Sequence, residues 1–414
     1  MIEKKIDRWL SAGLGLLAFT VYFAARRPAA SGVPEPVHLV LRTAWNALSS
    51  LLSHGAPAWL SALAGALCGG LTVALVYLVM RSSLSAVMRP EAEPGAYLND
   101  RVTRSVREEA GLGASRDTLV AVGAAVGSLY FAFGAPFWSS SPPLPDGVFE
   151  ALFLMSLLGV LLRGHTSGKR KHCLTALFLC GLGAADSPVF LWSYPVVFFV
   201  IVRGLILTNR CSERILPLYL LSGLAGLAIG VGAFFLASGS QDPTAAIQEY
   251  GRHYVAALGQ AGCHGSWCFV WGIPAVVLIL SVSRARDLLV GDKGLGVAGG
   301  VLLMGVTAVI LANAQGIPLT AWREGVRFNY LPVVPSLMLA FAAGCLFVCW
   351  LNMGLLEDDS GQHEKVTATS VMRMVGLAAC GLMVIVLFRQ PCVVAKEMRG
   401  SDLMDGSKQA MKSP

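Results

Sequence analysis

The sequence predicts an all-α protein: a polytopic transmembrane helical bundle of about eleven spans, with an interfacial amphipathic helix in the first outer loop. Three observations carry that prediction. Hydrophobic residues make up 55% of the chain and charged residues only 14%, with a mean hydropathy of +0.63; a soluble domain carries about a quarter charged residues. The apolar residues gather into long runs, and a bilayer core of ~30 Å needs about 20 of them per helix. Between the runs, basic residues are dense in every second loop, as in a polytopic chain whose cytoplasmic loops hold Lys and Arg.

The first run, 9–25, follows Lys4, Lys5 and Arg8. Its basic start, apolar body and Ala24-Ala25 imitate a secretory signal peptide. Arg26-Arg27 directly after makes cleavage there unattractive, so it is read as an uncleaved span with the N-terminus inside. Next, residues 36–54 set Val37, Leu41, Trp45, Leu48 and Leu52 on one helical stripe with Arg42, Asn46 and Ser49 opposite, the pattern of a helix lying along the outer interface. A second span at 57–80 leads to a cytoplasmic segment, 81–117, with six arginines between Arg81 and Arg116. Within it, 98–112 interleaves Val102 and Val106 with Arg101, Arg104 and Arg107, which reads as a solvated helix touching anionic headgroups.

Further spans are expected at 118–138, 147–163, 173–188, 189–207, 216–237, 267–284, 295–314, 329–351 and 370–388. Arg163 and Lys169 to Lys171, then Arg203, Arg210 and Arg214, then Arg284, Arg286 and Lys293, fall on the same side as the N-terminus, whereas the 139–146 and 187–189 loops hold no Lys or Arg. Residues 1–388 therefore form one transmembrane domain, and 389–414 a short polar tail whose Lys396, Arg399, Lys408 and Lys412 run weakly against the charge rule. The net charge of +7 is not a nucleic-acid surface, because no basic block stands apart from a membrane flank. Membrane lipids are the expected partners.

Of the ten cysteines, Cys68, Cys173, Cys180, Cys345, Cys349 and Cys380 fall in apolar spans, where cysteine acts as a small hydrophobe. Cys263 and Cys268 lie at an outer loop, open to a disulfide or to free thiols. His264 beside them does not make a zinc site, which takes four ligands. No metal is expected.

Charged groups at or inside spans are costly and usually have partners or tasks. Asp146 and Glu150 stand four apart at the start of the fourth span, on one helix face. Asp186 interrupts the Gly- and Ala-rich end of the fifth, just before Pro188. Glu35 sits between Pro34 and Pro36, close to His38. Arg323 and Arg327 precede the tenth span, with Glu324 between them and Tyr330 one turn on. Loop parity assigns all of these to the outer face. Each has a plainer role open to it. Asp146 can cap its helix, Asp186 can cap or kink at Pro188, and the two arginines can anchor a helix at headgroup level. Two cations at i,i+4 nevertheless repel unless something anionic lies between them, and arginine suits phosphate. The chain holds no P-loop, no His-Glu-x-x-His pair and no nucleophile elbow.

At these residues the chain resembles the GT-C superfamily of membrane glycosyltransferases, and within it a bacterial group of protein O-mannosyltransferase-like proteins. Phe133-Gly134-Ala135-Pro136-Phe137-Trp138-Ser139, followed by Asp146 and Glu150, is similar to the family's Phe-Trp-Ser passage and its acidic residue. Gly181-Leu182-Gly183-Ala184-Ala185-Asp186-Ser187-Pro188 resembles its Gly-rich turn, with Asp186-Ser187 where Asn-His is usual. Arg327-Phe328-Asn329-Tyr330-Leu331-Pro332 resembles the Arg-Tyr-Leu-x-Pro start of a late helix. The first outer loop has no Asp, so Glu35 is the nearest counterpart of the family's acidic base, and a large outer C-terminal domain is absent from the sequence.

The resemblance implies a GT-C-like fold in a bacterial inner membrane and a polyprenyl-phosphate sugar as donor substrate. Glu35 or Asp146 would deprotonate an acceptor hydroxyl on protein, lipid or glycan. Arg323 and Arg327 would stabilise the lipid-phosphate leaving group. His38, Glu150, Asp186 and Tyr330 would position sugar or lipid. A member that binds a polyprenyl lipid or a membrane partner without chemistry, or a flippase for lipid-linked sugars, stands as the alternative.

Overall fold

The computed structural model describes residues 2–25, 58–87, 102–134, 146–167, 169–186, 216–238, 267–290, 297–312, 333–354 and 374–389, with single positions between them such as Phe137, Phe190 and Tyr250. Every regular element among the described residues is an α-helix. In chain order these are α1 (Ile2–Ala25), α2 (Ala58–Val87), α3 (Val102–Ala132), α4 (Asp146–Ser167), α5 (Arg170–Asp186), α6 (Leu216–Ser238), α7 (Trp267–Val290), α8 (Val297–Ala312), α9 (Val333–Gly354) and α10 (Met374–Arg389). Three contain stretches long and apolar enough to cross a membrane: Leu63–Ala86 in α2, Pro217–Phe235 in α6 and Val334–Met353 in α9. Shorter apolar stretches occupy α3, α4, α7, α8 and α10. An all-helical membrane protein is what the composition predicts, since only a helix or a closed barrel satisfies its own backbone in lipid.

Small residues decide which helices touch. Lipid tails are as apolar as leucine, so helices associate where backbones come close. Gly15 of α1 and Gly70 of α2 face each other so closely that a methyl group on either would meet the other's carbonyl oxygen, at 2.8 and 2.7 Å. The same closeness joins α3 to α9, where Gly123 lies on Gly344 and Gly127 on the Ala340 carbonyl. Both pairs are antiparallel. The first is extended by the Ser11 hydroxyl donating to Ala74 O at 3.1 Å and the second is flanked by Trp350, whose indole N–H donates to Thr307 Oγ1 of α8 at 2.8 Å. Around these seams lies the larger core, with Tyr77, Phe131, Met80 and Trp350 almost wholly buried.

A second core joins α4, α5 and α6 through Leu157, Leu177, Cys180 and Tyr219. Helix α5 is antiparallel to α4, with Gly183 beside Phe153 and Gly164 beside Cys173. It runs parallel to α6: the Ser222 hydroxyl donates to Leu174 O, Gly226 rests on the Phe178 carbonyl and Gly230 on Ala185. Two parallel neighbours require the chain between Asp186 and Leu216 to return to the other end of the bundle. The expected span at 189–207 falls in that interval, and its Phe190 and Ile201 are buried in this second core.

Several boundaries differ from expectation: α2 runs past 80 to Val87 into the segment read as a loop, and α7 runs past 284 to Val290. The helix expected at 98–112 and the span expected at 118–138 are one continuous helix, α3, and it stops at Ala132. There the Gly134 N–H turns back to Phe131 O at 3.1 Å, and Phe137 folds in against Phe131 and Tyr22 at ring distances of 4.6 and 5.8 Å. Cys180, Cys345, Cys349 and Cys380 are buried and in no disulfide, the small apolar role expected of them.

Candidate functional site

The helix directions sort the described ends into two sets. One end collects the C-termini of α1, α3, α5, α6 and α8 and the N-termini of α2, α4 and α9. The Tyr22 hydroxyl donates to Ala132 O at 2.6 Å, and the Tyr130 hydroxyl to Ile310 O at 3.3 Å, so three helix ends are tied there. Asp146, Glu150 and Asp186 belong to this end by their places in α4 and α5.

Register brings two of them level. The antiparallel pairing sets Phe153 against Gly183 and Gly164 against Cys173, so position 150 of α4 comes opposite position 186 of α5. Helical periodicity carries positions 146 and 150 along the stripe that continues through Phe153 and Leu157, the α5-facing side of α4. Val148 and Ala151, on the other side, are buried toward α2, where the Thr72 hydroxyl lies 3.5 Å from Val148 O. Asp146 is the first residue of α4, and Asp186 closes α5 just ahead of Pro188.

Glu35 and His38, the expected interfacial helix at 36–54, and Arg323, Arg327 and Tyr330 lie outside the described residues, as do Cys263, His264 and the tail beyond Arg389. Their attachment points are described. Glu35 and His38 fall between the C-terminus of α1 and the N-terminus of α2, and Tyr330 stands three residues before α9 begins at Val333. All three attachment points are at the end that holds Asp146, Glu150 and Asp186.

Sequence reasoning missed one residue here, Tyr250. The Tyr250 hydroxyl donates to Ala185 O at 2.9 Å, satisfying a carbonyl at the open end of α5 beside Asp186, while its ring packs edge-on against Phe234 at 5.2 Å. Arg252, exposed, follows two residues later. The signal was faint: Tyr250 is one of two tyrosines, with Tyr254, in the long connection between α6 and α7. In the Phe-Trp-Ser passage, Phe137 is a buried packing residue, so at least that member of the motif serves the fold. Among the described residues no three His, Cys, Asp or Glu side chains come together as metal ligands would. Compared with known protein families and with curated proteins, the sequence matches none.

Proposed function

We propose that this protein is a membrane glycosyltransferase with a GT-C-like arrangement of about eleven spans, transferring a sugar from a polyprenyl-phosphate donor to a protein, lipid or glycan acceptor at the extracytoplasmic face. The observation that carries the reading is the level pairing of positions 150 and 186 at the bundle end where the Glu35 and Arg327 segments also attach. Acidic residues at level positions near one end of a membrane bundle suit proton abstraction and sugar hydroxyl binding. In this reading Glu35 or Asp146 takes the acceptor proton. Arg323 and Arg327 receive the lipid phosphate, and His38, Glu150, Asp186 and Tyr330 orient the sugar. Tyr250 is a positioning residue, holding the end of α5 through Ala185.

Transfer of a labelled sugar from polyprenyl phosphate by the reconstituted protein is the test. Arg323→Ala and Arg327→Ala are each expected to lower turnover by roughly 10²- to 10³-fold, the scale of losing a group that stabilises developing charge. If Glu35 is the base, Glu35→Ala abolishes transfer; unchanged turnover would exclude Glu35 and leave the role to Asp146. A density map with polyprenyl phosphate bound far from both arginines would overturn the site. The departures from the family pattern favour one second reading, a polyprenyl-lipid binder without chemistry: Asp186-Ser187 replaces the usual Asn-His, and the first outer loop lacks Asp. That reading expects donor lipid to bind with no transfer to any acceptor.

A further inference from the structure

At the opposite end of the bundle, the turn joining α4 to α5 concentrates positive charge. Arg163, Lys169, Arg170 and Lys171 are all exposed, and the sequence from 151 to 185 contains no Asp or Glu. The turn is held by its own polar groups. The Ser167 hydroxyl donates its only proton to Arg163 O, so the His172 Nδ1–H must donate to Ser167 Oγ, at 2.9 Å, and the Lys169 amide reaches the same oxygen at 3.4 Å. Lys169, Arg170 and Lys171 thereby stand at the first turn of α5, where the positive end of the helix dipole favours an anion. The apolar stretch of α4, Ala151–Gly164, ends just before this turn.

A second observation points to a ligand. Tyr219, on the first turn of α6, is fully buried, and its hydroxyl has no hydrogen-bond partner. It lies within electrostatic reach of Arg170 and Cys173, because the parallel register of α5 and α6 places it at the first turn of α5. A buried hydroxyl without a partner is costly, and a phosphate oxygen drawn in by Arg170 would supply the acceptor it lacks.

We propose that this turn is a binding site for a phosphate-bearing anion, the headgroup of an anionic phospholipid, gripped by Lys169, Arg170 and Lys171 with the Tyr219 hydroxyl beneath. The site is independent of the glycosyltransferase reading, since it lies at the other end of the bundle.

The test uses the full-length protein, comparing native mass spectra and thermal unfolding with phosphatidylglycerol, with phosphatidylcholine and with inorganic phosphate. Phosphatidylglycerol is expected to be retained and to raise the unfolding temperature; phosphatidylcholine is not. Replacing Lys169, Arg170 and Lys171 together by alanine should weaken retention by at least about tenfold, given the attraction of each basic residue to an anionic surface. Tyr219→Phe should weaken it measurably while leaving the surface charge unchanged. The control replaces Lys4, Lys5 and Arg8 by alanine, removing three cations from the same end of the bundle. Equal losses in the two triple variants would reduce the effect to general surface charge and overturn the site, and so would unchanged retention in Tyr219→Phe. Protection by inorganic phosphate without protection by the lipid would keep the phosphate site and assign it to the free anion.

Discussion

Arg81 ties three helices together at the end of the bundle remote from the acidic positions. Its Nε lies 3.2 Å from Asp7 Oδ1 of α1 and a terminal guanidinium nitrogen lies 3.5 Å from Asp117 Oδ1 of α3, while the Tyr77 hydroxyl donates to the same Asp7 oxygen at 3.1 Å. The side chain of Asp7 is 25% exposed and that of Asp117 47%, so water screens the second pair more. Removing Asp7 leaves Arg81, itself 14% exposed, with a weaker counter-charge and Tyr77 without its acceptor. Asp7→Ala is therefore expected to cost about 1–3 kcal/mol, between the values typical of exposed and buried pairs. Asp117→Ala should cost no more than about 1 kcal/mol. Unfolding of the two variants in detergent would rank them, and equal costs would contradict the assignment of Asp7 as the principal partner. None of this network was legible in the sequence, where Asp7 is only an acid among Lys4, Lys5 and Arg8. Its partners are 70 and 74 residues away.

Among the elements, the parallel pair α5 and α6 shows what sequence patterning leaves open. Both helices are apolar on nearly every side, and such helices announce burial without saying against what. Gly181, Gly226 and Gly230 are visible as small residues at helical spacing, yet their partners, the Gly223 and Phe178 carbonyls and Ala185, come only with the fold. A methyl group at Gly181 would press into the Gly223 carbonyl, and backbone cannot swing aside as a flexible side chain can. Gly181→Ala is expected to destabilise by about 1–3 kcal/mol, the usual cost of overpacking. At Gly232, where nothing lies within 4 Å, the same change should be close to neutral. Matched unfolding curves of the two variants check the pair. Helix α3 makes a related point. Its first half carries Arg104, Arg107, Glu108 and Glu109 and reads as solvated, so hydropathy separates it from the apolar half, but one hydrogen-bonded ladder runs through both.

For the whole molecule, the directions of the helices predict which positions share a compartment. Asp186 and Ser238, the C-termini of the parallel helices α5 and α6, should be on one side, and Ser167 on the other. Single cysteines placed at Ser238 and Ser167 in a cysteine-free background should be labelled by an impermeant reagent from opposite faces. Labelling of both from the same face would disprove the parallel arrangement. Loop parity had already gathered Asp146, Glu150 and Asp186 on one face from charge alone, and the helix directions bring their positions to one end. The level of 150 with 186, and the contact of Tyr250 with the end of α5, were beyond parity, since both depend on the sliding register of α4 against α5.

By itself the sequence determined that the chain is helical and membrane-bound, roughly where its apolar helices run, and which loops carry the positive charge. Those properties follow from local composition, because a bilayer asks of each segment only that it be apolar, long enough and internally hydrogen-bonded. The tertiary structure alone decided that α1 packs on α2 through Gly15 and Gly70, that α5 lies parallel to α6, and that Arg81 joins Asp7 to Asp117. Lipid gives one apolar helix no preference over another, so neighbours are chosen by close backbone approach and by the few polar groups that find each other across long stretches of chain.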